Sequence, residues 1–156
     1  TARHEIGHVL ATLALGGEVG NVTIEGQPCA ECTLPEGVPW SHRVAIDLAG
    51  DAATVGNLAE DELKWHVGVV RAVGGGFCDR CNATRRVTVG LRHPPDDEVI
   101  AEFRRIEALL AEFFARPEVR ELVFDLAWWL GDVGTITGSE IIGRFGPQVR
   151  ALELPI

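Results

Sequence analysis

The sequence predicts a mostly helical α+β fold. Apolar residues recur at helical spacing along most of the chain, for example Val99, Ile100, Phe103, Ile106, Leu109, Leu110 and Phe113. One short stretch, Glu18 to Gly26, instead alternates with period two, Val22 and Ile24 against Thr23. Glycine and proline breaks separate the segments, and no repeat, low-complexity tract or long linker divides them. The 156 residues, 1–156, are therefore expected to form a single domain.

Residues 2 to 15 predict the first helix, with Ile6, Val9, Leu10, Leu13 and Ala14 on its apolar side. Gly16-Gly17 ends it. The strand from Glu18 follows, and residues 26 to 38, broken by Gly and Pro, read as a loop. Pro39 suits the first turn of a second helix, PWSHRVAIDLAGDAATVG. Asp61 to Val73 is a third helix, and Gly74-Gly75-Gly76 breaks it. A fourth runs from Phe77 to about Arg86, where VTVGL favours strand. Pro94-Pro95-Asp96-Asp97 opens the long amphipathic helix, and Pro117 opens the next. Thr137 and Glu140 form a T-x-x-E capping box for the last.

A net charge of −9 argues against a nucleic-acid or anionic-membrane surface, since the only basic cluster is Arg80, Arg85 and Arg86. No apolar run reaches the roughly 20 residues of a membrane span, and no signal peptide is apparent. The chain starts at Thr1 and contains no Met, so further residues, and any anchor, are expected ahead of it in the natural protein. With nothing else to suggest secretion, the four cysteines indicate a reducing, cytoplasmic setting.

His4-Glu5-Ile6-Gly7-His8 is an H-E-x-x-H motif on the first helix. Residues i and i+4 lie one turn apart on one face, so His4 and His8 can direct two imidazoles at one metal ion. Glu5 is near enough to take a proton from water and pass it to a leaving amine. A catalytic zinc needs a third protein ligand and one open position. The plain alternative is a helix with two histidines by chance. Gly7 costs the helix roughly 1 kcal/mol against Ala, which predicts the close approach of another element.

HEIGHVLATLALGG followed by VGNVTIE resembles the peptidase domain of FtsH-type zinc metalloproteases. That family has an H-E-A-G-H helix, a glycine break and a V-x-x-V-x-I strand. IDLAGDAATV is similar to its L-x-G-x-A-A-E-E helix, GGGFCDRCNATR to its G-A-x-N-D-L-x-x-A-T segment, and LAWWLGDVGTITGSEI to its terminal helix and L-x-G-x-E-I. The resemblance implies a zincin-like fold and a zinc-dependent endopeptidase. It implies that Asp79 is the third ligand beside His4 and His8, and that Glu5 is the general base and acid. Without it, Asp79 reads as an ordinary acid at a helix N-terminus. Thr54-Val55 stands where the family has paired Glu, which leaves any supporting task of those acids unfilled. The chain carries no ATPase module, so the implied substrates are small or unfolded proteins, unless a helper ATPase assists. The family's rings imply a homo-oligomer. Two other readings stand beside the enzyme: a metal-binding regulatory or adaptor domain without turnover, and a thiol redox sensor.

The cysteines form two C-x-x-C pairs, Cys29/Cys32 and Cys78/Cys81. All four could hold a structural zinc and pin the loop to the fourth helix. Disulfides between the pairs, a thiol switch, or unpaired buried thiols are the alternatives. On a helix Cys78 and Cys81 share a face that Asp79 points away from. His42, His66 and His93 are candidates for transition-state stabilisation or extra ligation, or else surface and core-edge residues. Adjacent Trp128 and Trp129 cannot both face one core, so one is expected to meet a partner subunit. The strand at 19 to 25 could accept an extended substrate at its edge, unless it is already paired.

Overall fold

The computed structural model describes residues 1–54, 59–74 and 78–156. Its elements in order are α1 (Ala2–Ala14), β1 (Glu18–Thr23), β2 (Cys29–Thr33), α2 (Trp40–Ala52), α3 (Glu60–Val73), α4 (Asp79–Gly90), α5 (Asp96–Ala115), α6 (Pro117–Val133), β3 (Thr135–Thr137) and α7 (Gly138–Arg150). The architecture is mostly helical α+β, as expected. Val55, Gly75, Gly76 and Phe77, which the sequence reading also used, lie outside the described residues.

Helix α1 packs against α2, α6 and the strands β1 and β2. Its Ile6, Val9, Leu10 and Ala11 are fully buried. Such an apolar stripe is stabilised by burial at roughly 25 cal/mol per Å². The close approach predicted at Gly7 is real: a Cβ there would run into the Ala49 carbonyl of α2. Helix α2 in turn packs on α4 and α5. Phe103, Ile106, Leu110 and Phe113 of α5 fill the core. Pro117 starts α6 at its first turn, where a missing N–H costs nothing. Thr137 and Glu140 close the capping box of α7.

Two expectations are corrected. Residues 29–33 are not loop but strand β2, paired antiparallel with β1 through Glu18↔Thr33 and Thr23↔Cys29. VTVG, which favours strand, continues α4. There Val87 is fully buried, and Thr84 and Thr88 donate their hydroxyls to carbonyls one turn back, of Arg80 and Thr84, at 2.8 and 2.9 Å. Packing and back-bonding override the propensity.

The sheet order is β2-β1-β3, with β1 also pairing β3 through Val22↔Ile136. Strand β1 is therefore central and offers no edge. The edge beside the cleft described below belongs to β2. Trp129 packs against Phe145 with Arg144 above its ring, while Trp128 is 74% exposed. Among the described residues no helix is long and apolar enough to cross a membrane.

Candidate metal centre

Helix α1 sets His4 and His8 one turn apart, with their rings edge to face at 4.7 Å between centroids. The first residue of α4 is Asp79, and the packing of α4 on α2 carries it across to them. The Nε2 atoms of the two imidazoles are 3.1 Å apart. Asp79 Oδ2 lies 3.1 Å from His4 Nε2 and 3.5 Å from His8 Nε2. Three acceptor-type atoms this close repel one another unless a proton or a cation sits among them.

The far side of each imidazole is anchored. His8 Nδ1 is 2.7 Å from the Ile46 carbonyl oxygen. A carbonyl only accepts, so Nδ1 carries a proton, and in the neutral ring Nε2 presents its lone pair. His4 Nδ1 faces Asp51 Oδ1 at 3.5 Å, and the other oxygen of Asp51 accepts from Arg80 Nε at 2.5 Å. Both outer partners belong to α2. The same helix makes the room: a Cβ at Gly50 would sit 2.6 Å from His4 Cε1 and 2.6 Å from His8 Nε2.

The local charges follow from these contacts. Hydrogen bonds from His4 and His8 hold the Asp79 carboxyl well below the usual carboxylate range, against the opposing effect of burial. Burial disfavours the charged form of His8, but Asp79 and the Ile46 carbonyl outweigh it and raise its pKa. Glu5, buried on α1 beside His4, has its pKa raised by burial, an effect the two imidazoles partly offset. Burial likewise raises Asp47, against its Arg86 partner at 2.6 Å.

His4, His8, Asp79 and Glu5 all border one cleft of about 380 Å³, walled opposite by Pro28, Cys29, Ala30, Cys32 and Leu34. Two imidazole nitrogens and a carboxylate oxygen within 4.8 Å of one another could hold a divalent metal, with the cleft as the open side.

No family model and no curated protein matches the chain.

The two cysteine pairs do not converge. Cys29 and Cys32 join neither donor group of the described residues. The expected four-thiolate site fails because the first pair lies in a strand. Residues i and i+3 of a strand point to opposite faces, and β2 alternates exposed Cys29 with half-buried Cys32. Burial pushes the Cys32 thiol up, with Thr12 opposing and Glu5 adding to the shift. All four cysteines are unpaired thiols. Cys78 and Cys81 instead meet His66 of α3, and these three also lie within 4.8 Å of one another.

His66 is thus buried and partnered, whereas His93 is exposed in the turn after α4 at φ 61°. His42 Nδ1 is buried without a hydrogen-bond partner among the described residues. Thr54, just past the end of α2, bonds back to the Gly50 carbonyl of that helix at 3.0 Å. Sequence reasoning missed Gly50, Asp51 and Arg80. A Gly-Asp step in the last turn of α2 was the one available signal, since an acid there opposes the helix dipole.

Proposed function

We propose that the chain is a zinc-dependent peptidase of zincin-like fold, akin to the FtsH-type peptidase domain that its motifs resemble. One observation carries this reading. The two Nε2 atoms and Asp79 Oδ2 lie close together beside the cleft, while the Ile46 carbonyl holds His8 Nδ1 and Asp51 lies 3.5 Å from His4 Nδ1, both on α2. Oriented imidazoles with outer partners are what metal ligation requires. Two nitrogens and one carboxylate oxygen suit zinc.

Zinc held by His4, His8 and Asp79 supplies a Lewis acid and makes water acidic enough to react at neutral pH. The other tasks fall to the chain. Glu5 takes the proton from the attacking water and returns it to the leaving amine. The free edge of β2 offers backbone N–H and C=O groups to an extended peptide along the cleft. Only an unfolded or small substrate can adopt that form, so unstructured proteins are the substrate class. Self-association or a helper ATPase would extend its reach to folded ones.

The Glu5→Gln variant tests the reading. It should bind zinc as the parent does yet cleave casein about 10²- to 10⁴-fold more slowly. Equal turnover in the two proteins would defeat it. Zinc binding without any cleavage by the parent would leave a non-catalytic metal-binding or adaptor domain.

A further inference from the structure

We propose that His66, Cys78 and Cys81 form a second metal site, for a thiophilic divalent ion of the zinc class, that ties α3 to the start of α4. The site shares no ligand with the first centre and does not depend on peptide cleavage.

Three observations point to it. His66 Nδ1 lies 3.2 Å from Cys81 Sγ, and the three donor atoms fall within 4.8 Å of one another. Tetrahedral zinc, at about 2.3 Å from sulfur and about 2.0 Å from nitrogen, sets its donors about 3.6 Å apart. Small side-chain adjustments therefore close the shell.

Cys78 is the N-cap of α4 and Cys81 is three residues on, with the Cys81 N–H donating to Cys78 Sγ at 3.4 Å. Two sulfurs thus sit in the first turn of a helix, where its positive end and free N–H groups favour thiolates. A bound ion takes the place of the thiol protons.

The third observation separates metal from disulfide. His66 is buried, and its hydrogen-bond partner among the described residues is the Cys81 sulfur. A Cys78–Cys81 disulfide would remove that thiol and leave a buried imidazole nitrogen without its partner. A metal uses all three groups. Two thiolates and an imidazole select zinc-like ions over magnesium or calcium. Cys78 is exposed, so solvent completes the fourth position.

The two centres interleave on one turn of α4. Cys78 and Cys81 face α3, while Asp79 between them faces α1. An ion on the thiols would fix the turn that aims Asp79.

Cobalt titration of the full reduced chain tests the proposal. Cobalt bound to thiolates shows a sulfur-to-metal charge-transfer band that a site of two histidines and one aspartate cannot give. The band should appear in the parent and survive both His4→Ala/His8→Ala and Cys29→Ser/Cys32→Ser. It should vanish in Cys78→Ser/Cys81→Ser. In parallel, zinc should shield Cys78 and Cys81 of the parent from alkylation, mapped by mass spectrometry, and leave Cys29 and Cys32 reactive. That measurement needs no variant to fold. No charge-transfer band in the reduced parent, its loss on replacing Cys29 and Cys32, or unprotected Cys78 and Cys81 would each overturn the proposal.

Discussion

His8 Nδ1 donates to the carbonyl oxygen of Ile46 at 2.7 Å. One helix thereby decides which nitrogen of a residue on another helix is free to bind. Helix α2 contributes no ligand, but it fixes the His8 tautomer through Ile46, faces His4 with Asp51 and clears space with Gly50. Metal affinity at the first centre should therefore be sensitive to α2.

Gly50→Ala is the most specific change of that kind. Its methyl group would lie 2.6 Å from both imidazoles and force them apart. Zinc affinity, measured by competition with a chromophoric chelator, should fall tenfold or more, by analogy with losses of supporting contacts. Helix content by circular dichroism should hold, because alanine favours a helix by about 1 kcal/mol over glycine. Unchanged affinity would mean that the imidazoles do not meet at this point.

Asp51→Asn keeps the shape but removes the charge shared by His4 and Arg80. Zinc binding should weaken about 10- to 100-fold, with no change in secondary structure. Wild-type affinity in this variant would remove Asp51 from any role in orienting His4.

How much of this was legible varied with how local the cause was. The His4–His8 pair and the tight approach at Gly7 could be read directly, because one turn of helix sets the first and a helix penalty signals the second. Asp79 could not be read from its surroundings, since its place depends on α4 packing on α2; only the family resemblance pointed to it. Strand β2 went unrecognised because CAECT has a single β-branched residue, and its pairing with β1 supplies what its composition lacks. That omission misplaced the cysteines, since three residues apart means one face on a helix but opposite faces on a strand. His66 meets Cys81 across the α3–α4 contact, 15 positions away, and no local pattern encodes that.

The last helix, which supplies no residue to either donor group, offers a control. Thr137 accepts from the Glu140 N–H, and Glu140 accepts from the Thr137 N–H at 2.7 Å. Thr137→Ala should cost about 1 kcal/mol in urea unfolding and leave zinc binding untouched. A loss of zinc affinity there would show that α7 and the metal centre are coupled.

The same cap has a pH signature. Hydrogen bonds from the Thr137 hydroxyl and backbone lower the Glu140 pKa below its ordinary value. A lowered folded pKa means that the charged cap stabilises above the unfolded pKa and stops doing so as pH falls through the folded one. The stability gap between the parent and Glu140→Gln should be open at about pH 7 and close as pH falls below about 4. A gap independent of pH would show that the carboxylate charge contributes nothing.

Anomalous diffraction at the zinc absorption edge, from crystals of the parent grown with zinc, bears most closely on the first centre. The peak should lie about 2.0–2.2 Å from His4 Nε2, His8 Nε2 and Asp79, with solvent on the cleft side. Density for zinc elsewhere with none between these three residues, or a fourth protein atom filling the cleft side, would contradict a peptidase centre here.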